Sequence, residues 1–492
     1  MSAPLLPVLP LVLADVPLAL RRALEQEGIP WTNHCQQPPA GRFLLFDSKR
    51  RACPIASTGQ TTIDVDRCGR GNWGDRFAAL ADERSSRQKW TIAGLDVSEE
   101  IATVDKRAVR RALLDDLRRA IEALGGVWIR VAAFPAPYRA AFNFRIDHDE
   151  FDEHDFSATL RAIEGREHAT THFVCAGLHA GCRDELRQLV DLDVGSHGYW
   201  HHTYHSRREN LLNIRRGIEA LQSVGIKPRG FAAPHGRFNR GLLSALAELG
   251  VTHSSEFGLA YDDLPYFPAS RDVLQIPVHP VCLGIFLEAA RRASPDDPRA
   301  AAQAAAAAAD YLEAVVRAKC LAGEPAFLYG HPRGRLGQYP EVLRRVLDRA
   351  WTVPDAWKTT LSQFGDWWRR RAEVRLCITG DAHDFRVAVV HKPRLPIALE
   401  VFRGERSARL PLDRDELRVS TDTLVFQRRN APILPKPQPC IPSWRTIVLR
   451  SIDWERETPT LEIPLRTWRG WVKRTLRHVR RSPSPPPRKR AG

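Results

Sequence analysis

Four short apolar runs along the chain each end in polar residues that can bind a metal ion or transfer a proton. The runs cover residues 141–146, 192–195, 230–233 and 326–330, and stretches with a helical pattern separate them. Because each run is short, continuous and apolar, it predicts a buried parallel strand. In α/β barrels and open α/β sheets, catalytic groups gather at the carboxyl ends of the strands. We therefore expect the polar residues after the four runs to meet at one rim.

The residues after these runs include a set suited to binding a metal ion. Asp147 and Asp149 follow the first run, His197 and His201 follow the second, and His331 follows the fourth. His197 and His201 are four residues apart, so one helical turn or a tight loop brings both imidazoles to one side. Two imidazoles and one carboxylate, with positions left open for water, form a ligand set of hydrolytic zinc sites.

The spacing of the two aspartates suggests how they divide the work. An extended backbone places Asp147 and Asp149 on the same side and His148 on the other. One aspartate can bind the metal while the other acts as a general base, and His331 can protonate the leaving group. Taken singly, each histidine is more often a structural imidazole and each aspartate more often a turn residue. The co-occurrence of four such motifs favours metal-assisted hydrolysis.

The order of these motifs resembles that of the polysaccharide deacetylase superfamily, also called the NodB-homology or carbohydrate esterase 4 superfamily. The resemblance spans about residues 127–371 and rests on FRIDHD at 144–149, TTHFV at 170–174, VGSHGYWHH at 194–202, GFAAPHG at 230–236 and LYGH at 328–331. The Asp-x-Asp spacing is closest to the branch that includes bacterial deformylases acting on undecaprenyl-phosphate aminosugars.

The resemblance implies a distorted parallel (β/α) barrel and a divalent-metal deacylase that removes N- or O-acyl groups from sugars. It assigns Asp147 as the base, His331 as the acid, and Asp149, His197 and His201 as ligands of the ion, zinc by default. It also implies that backbone N–H groups at His235 and Gly236 help to stabilise the tetrahedral oxyanion.

Two positions depart from the family pattern, since His148 stands between the two aspartates and the motif arginine is missing. The motif arginine that contacts the base in many members is Ala232 in this chain. Asp147 therefore needs another partner, and either Arg145 or Arg237 can supply a guanidinium. The resemblance otherwise retains both acids and all three histidines.

Length and pattern predict an α/β barrel with two flanking domains. The chain has 492 residues, which suggests about three domains. Residues 1–135 predict a small α/β domain, residues 136–372 the barrel, residues 373–464 an all-β accessory domain with a sandwich of short alternating strands, and residues 465–492 a basic tail. The nine cysteines are scattered and form no C-x-x-C pair, which favours a reducing compartment.

The basic tail predicts a partner of negative charge. Ten lysines and arginines and no acid lie between residues 466 and 492. Trp468 and Trp471 fall near one apolar helical stripe, as in helices that lie on anionic membranes. A solvated tail or binding to nucleic acid are the alternatives. We favour the membrane and expect a cytoplasmic protein, peripheral on the inner membrane face, with nucleic acid the less favoured partner.

Two functions follow from the sequence. The first is a metal-dependent deacetylase or deformylase that acts on a sugar, a polysaccharide or a lipid-linked glycan precursor. The second is a catalytically silent barrel that binds a glycan or a protein partner, suggested by the missing motif arginine. The presence of both Asp147 and His331 favours the enzyme, because a silent barrel has no chemical need for them.

Overall fold

The computed structural model describes residues 11–13, 17–33, 43–47, 60–64, 73–123, 126–295, 297–380 and 382–440. The chain divides into two units, Met1–Pro439 and Cys440–Gly492. All elements below belong to the first unit, and the predicted tail at 465–492 lies outside the described residues. Among the described helices, none combines the length and the apolar character needed to cross a membrane.

Parallel strands form the central sheet. Their order across the sheet is Leu274–Gln275, His253–Ser254, Gly230–Phe231, Val194–Ser196, Thr170–Val174, Ala140–His148 and Pro325–Gly330, and Ala356–Lys358 also pairs with Ala140–His148. Beyond Leu274–Gln275, the N–H of His279 donates to the carbonyl of Phe327 at 2.8 Å, which links the two ends of this order. The sheet is therefore a distorted parallel barrel, and the predicted fold class is confirmed.

The four predicted strands are all present at or near their predicted positions. The run at 141–146 becomes Ala140–His148, and every residue of this strand is buried. Continuous burial explains why the sequence reads as an unbroken apolar run, since helices cover the outer face of such a strand and the barrel interior covers the other. The run at 230–233 ends earlier, at Phe231, because Pro234 opens a turn of 3₁₀ helix at Pro234–Gly236.

Helices surround the barrel, and most begin at a side chain that caps them. They are Glu153–Ile163, Arg183–Arg187, Arg207–Gln222, Arg240–Glu248, Leu283–Ala293, Pro298–Ala322, Pro340–Trp351 and Leu361–Arg371. The N-cap side chains of Asp152, Ser206, Asn239, Asp297 and Thr360 accept from a backbone N–H in the first turn. Each such cap stabilises its helix by about 1 kcal/mol.

The N-terminal region combines parallel strands with helices, in agreement with the α/β prediction. Its strands follow the order Trp31–Asn33, Leu11–Leu13, Phe43–Asp47 and Gln60–Asp64, its helices are Leu18–Glu27, Trp73–Ala81 and Lys106–Ala123, and Ser85–Ile92 forms a hairpin with Leu95–Ala102. The spacing of Val109, Leu113, Leu117 and Ile121 predicts one apolar face of Lys106–Ala123. In the structure Leu113, Leu117 and Ile121 are buried and Val109 is half-buried.

The C-terminal region consists of strands in antiparallel pairs. They are Arg375–Gly380, Asp384–His391, Ala398–Arg403, Arg406–Pro411, Glu416–Ser420, Gln427–Arg428 and Gln438–Pro439. The strand Trp128–Val131 pairs with Ala398–Arg403, and Gln438–Pro439 pairs with Ser85–Ile92. Backbone hydrogen bonds thus join residues before 135 to residues after 372. The domain boundaries at these two positions stay predictions.

Alternation along this region also predicts strands at 424–427 and 446–449. The strand predicted at 424–427 is wrong for its first three residues, because Thr421–Thr423 forms a 3₁₀ turn and the strand begins only at Gln427. The strand predicted at 446–449 lies outside the described residues. Arg406–Pro411 and Glu416–Ser420 were not predicted, because polar residues fill most of their exposed positions and leave no apolar run.

Candidate metal centre

The carboxyl ends of the strands bring Asp149, His197 and His201 together. Oδ1 of Asp149 lies 3.2 Å from Nε2 of His197 and 3.1 Å from Nε2 of His201. The three ligating atoms all lie within 4.8 Å of one another. Asp149 follows Ala140–His148 and His197 follows Val194–Ser196, and both strands pair with Thr170–Val174. The parallel register therefore sets the separation of the carboxylate and the imidazole.

The hydrogen bonds at this cluster leave its ligating atoms available for an ion. Nδ1 of His197 lies 2.7 Å from the carbonyl of Ala232. A carbonyl can only accept, so Nδ1 carries the proton and Nε2 keeps its lone pair. Asp149 Oδ1 and His201 Nε2 are buried, and neither makes a hydrogen bond of acceptable geometry. Tetrahedral zinc ligands lie about 3.4 Å apart, so the observed spacing suits one divalent ion.

The charge of Asp149 also fits a cation site. Burial by itself raises the pKa of this carboxyl, but His331, His197 and His201 outweigh burial and hold the pKa well below its usual range. Asp149 is therefore ionised at neutral pH, as a metal ligand must be.

His331 lies beside the cluster, at the end of Pro325–Gly330. Its Nε2 is 3.4 Å from Oδ2 of Asp149, and its Nδ1 is buried without a hydrogen-bond partner. Burial lowers the pKa of His331 to about 4. The imidazole is therefore neutral at pH 7, and it must gain a proton during the reaction before it can donate one.

Asp147 has a guanidinium partner in the barrel. Nη2 of Arg145 donates to Oδ2 of Asp147 at 2.6 Å, and both side chains are buried. The other oxygen, Oδ1, is buried without a partner. Of the two arginines that the sequence offers for this contact, Arg145 makes it. Ala232, at the position of the family arginine, is also fully buried.

His235 and Gly236 form a strained turn next to the cluster. Both have positive φ, 59° and 60°, and the ring centroid of His235 lies 4.9 Å from that of His201. A Cβ on Gly236 would lie 2.3 Å from the ring of Phe257, so this turn requires glycine. The N–H of Gly236 already donates to the carbonyl of Ala233 at 2.9 Å. Of the two predicted oxyanion donors, the N–H of His235 is thus the one that this turn does not use.

The sequence reasoning missed a histidine pair behind the site. Nε2 of His148 lies 2.9 Å from Nδ1 of His172, and His179 packs against His148 with ring centroids 6.3 Å apart. Burial lowers the pKa of His172 to about 4, and burial together with His172 and His179 lowers that of His148 well below its usual value. Alternation along the strand predicts that His148 points away from the aspartates, but it does not identify the side chains that His148 contacts.

Two aromatic side chains lie between the predicted imidazole ligands. Tyr199 and Trp200 are both half-buried, and the guanidinium of Arg216 lies 4.3 Å and 5.4 Å from their ring centroids. The loop that carries the predicted metal ligands therefore also carries two partly exposed aromatic rings, of which Tyr199 packs against a hydrophobic cluster.

Several solved structures are similar to about half of this chain at low identity. Two of them are structures of proteins named as polysaccharide deacetylases. The one from Mycobacterium smegmatis is 20% identical, with 48% of this chain and 92% of that chain covered and a TM-score of 0.39. The one from Pseudomonas aeruginosa PAO1 is 18% identical, with 49% and 94% covered and a TM-score of 0.38. A carbohydrate esterase family 4 pseudoenzyme from Bacillus anthracis is 13% identical, with 47% and 67% covered and a TM-score of 0.32.

The sequence itself matches one family. No protein of the curated set matches the chain. The sequence model of the family "Polysaccharide deacetylase" matches residues 147–254, which include both aspartates and both imidazoles of the H-x-x-x-H motif. The resemblance predicted from the motif order is confirmed over residues 147–254, the part of the chain that this family model matches.

Proposed function

We propose that this protein is a metal-dependent deacylase that hydrolyses an N- or O-acyl group on a sugar, a polysaccharide or a lipid-linked glycan precursor. One observation carries the proposal. Asp149 Oδ1 lies 3.1–3.2 Å from two imidazole nitrogens, and buried atoms of this group lack hydrogen bonds of acceptable geometry. Buried polar atoms without partners are rare unless a ligand satisfies them.

Each residue of the site has a distinct chemical task in this proposal. Asp149, His197 and His201 would hold one divalent ion, with zinc as the default. A bound zinc ion supplies Lewis acidity and lowers the pKa of water to about 7. Asp147 receives a proton on Oδ1, since Arg145 occupies Oδ2. His331, neutral at the start, takes up a proton from solvent and passes it to the leaving group, and Asp147 later releases its proton to solvent. The N–H of His235 donates to the oxygen that becomes negative.

The rim also suits a sugar. Half-buried aromatic rings such as Tyr199 and Trp200 can pack against the apolar face of a sugar ring. The family match of residues 147–254 supports a glycan substrate more directly. The acyl group, the lipid linkage and the contact of the tail with an anionic membrane remain part of the proposal.

The test starts with purified full-length protein. Metal content is measured by elemental analysis, and acetate and formate release are measured on a panel of acylated amino sugars, glycans and lipid-linked sugars. We expect about one equivalent of a divalent ion and release from at least one substrate. Replacement of His201 by Ala should remove both the ion and the activity. Bound metal without release from any member of the panel would instead support the silent barrel, and the absence of metal would overturn the proposal.

A further inference from the structure

The partner of Asp147 comes from an unexpected place in the chain. The family pattern places an arginine at position 232, on a different strand from the base, but this chain has a fully buried alanine there. The backbone N–H and carbonyl at this position both make hydrogen bonds. The N–H of Ala232 donates to the carbonyl of Ser196 at 3.1 Å, and its carbonyl accepts from Nδ1 of His197. Ala232 thus helps to orient a predicted metal ligand but offers nothing to the base.

Arg145 reaches Asp147 along its own strand. The two residues are two positions apart in Ala140–His148, so the extended backbone directs both side chains to the same side. Nη2 of Arg145 donates to Oδ2 of Asp147 at 2.6 Å, and the side chains are 1% and 2% exposed. A charge-assisted hydrogen bond with this burial is strongly directional.

The guanidinium is itself held from other strands. Nη1 of Arg145 donates to the carbonyl of Ser255 at 2.5 Å and lies 3.1 Å from its hydroxyl. The guanidinium also lies over the ring of Tyr329, 5.0 Å from the centroid, and 5.8 Å from that of Phe173. These contacts come from three separate segments of the barrel. They leave the guanidinium little freedom, so its hydrogen bond fixes the orientation of the Asp147 carboxylate.

The charge balance around Arg145 assigns its positive charge to Asp147. A further carboxyl in this part of the interior belongs to Glu256, which is fully buried. Burial raises the pKa of Glu256 to about 7, which moves it towards the neutral form. The geometry gives the same assignment, since Arg145 contacts Asp147 directly.

We propose that Arg145 is the positioning residue for the base and replaces the family arginine that Ala232 lacks. It binds Oδ2 and turns Oδ1, which has no partner, towards the reacting water. This inference rests on the proposed function, because the base has a role only if the barrel hydrolyses a substrate.

A double-mutant cycle on kcat tests the inference in the metal-loaded enzyme. Arg145→Met should lower kcat by about 10²-fold, the cost of misplacing a catalytic group by about 1 Å. KM and metal content should change little, since Arg145 is neither a substrate contact nor a ligand. Arg145→Lys should recover part of the rate, because an ammonium can still bind Oδ2. In the Asp147→Asn background, Arg145→Met should have no further effect on kcat.

Arg110→Met is the matched control. Arg110 is another buried arginine and binds Asp263 at 2.7 Å, away from the rim. We expect this variant to melt at a lower temperature and to keep its kcat. If Arg145→Met does not fold, the cycle is run with Arg145→Lys, which keeps the charge.

The possible outcomes separate the two proposals. No release from wild-type protein overturns the proposed function and the role of Arg145 with it. If the wild-type protein releases product but Arg145→Met lowers kcat by the same factor in the wild-type and Asp147→Asn backgrounds, the role of Arg145 alone is overturned. An unchanged kcat in Arg145→Met has the same meaning.

Discussion

The rim with the candidate metal ligands and a second region of buried ion pairs handle polar atoms in opposite ways. In the second region, Arg110 binds Asp263 at 2.7 Å and also Glu27, while Arg130 binds Glu27 and lies 2.6 Å from Glu400. Burial by itself raises the pKa of Glu400, but Arg130 and other arginines outweigh burial and lower it to about 2. Each of these carboxylates thus has a guanidinium.

The rim leaves buried polar atoms unpaired. They are Oδ1 of Asp147, Oδ1 of Asp149, Nε2 of His201 and Nδ1 of His331. Proteins rarely bury such atoms without a partner, because each one costs about 1–3 kcal/mol. The difference between the regions indicates a division of labour. The paired region contributes to the stability of the fold, and the rim keeps its polar atoms for an ion, a water molecule and a substrate.

The largest effect should come from the rim base. Asp147→Asn keeps the size of the side chain but cannot accept a proton in the same way. We expect kcat to fall by about 10²–10⁴-fold while the metal content stays the same. His331→Ala should also lower kcat with little loss of metal. Steady-state kinetics and elemental analysis on the same preparation measure both quantities. A fully active Asp147→Asn enzyme would contradict the division of labour at the rim.

The second effect should appear in the paired region. Arg130→Met leaves Glu400 and Glu27 buried without this guanidinium, and breaking a buried pair costs about 3–5 kcal/mol. The control is Arg386→Met, which breaks an exposed pair with Glu416 and should cost less than about 1 kcal/mol. Urea unfolding measures both free energies. If Arg130→Met keeps its free energy of unfolding but loses catalytic rate, the paired region would serve catalysis and not stability.

Metal binding should convert the rim into a stabilising region. At a zinc concentration of about 100 times Kd, binding to the folded state alone raises the free energy of unfolding by about 2.7 kcal/mol. Thermal denaturation of metal-free protein with and without zinc measures this shift. His201→Ala should abolish the shift, whereas replacement of the exposed His154 by Ala should retain it. A shift that survives His201→Ala would place the ion elsewhere.

The smallest effect, counted per pH unit, concerns the imidazoles behind the rim. His172 has a pKa of about 4 in the folded protein, below the value of about 6.5 that it regains on unfolding. The unfolded state therefore binds more protons between these values, so stability is complete above pH 6.5 and falls as the pH drops towards 4. The expected slope is about 1.4 kcal/mol per pH unit for this residue. His172→Asn should flatten the slope, and substitution of the exposed His391 should not.

The sequence predicts the barrel and the residues of its rim well, for a physical reason. Buried parallel strands need continuous apolar runs, and the polar residues at 147–149, 197 and 331 end those runs abruptly. The choice between Arg145 and Arg237 was not predictable in the same way. It depends on Ser255, Tyr329 and Phe173, which come from distant segments. The pairing of Trp128–Val131 with Ala398–Arg403 was also missed, because alternation reveals a strand but not its neighbour.

This pairing has a consequence for synthesis of the chain. Trp128 pairs with Phe402, about 270 residues later. A ribosome that adds about 5–20 residues per second needs about 13–55 s to make the intervening segment. Trp128, Ile129 and Val131 are buried in the finished protein, so during this interval an apolar strand edge waits for its partner. We therefore expect chaperones to bind the nascent chain at this strand until Ala398–Arg403 has been synthesised.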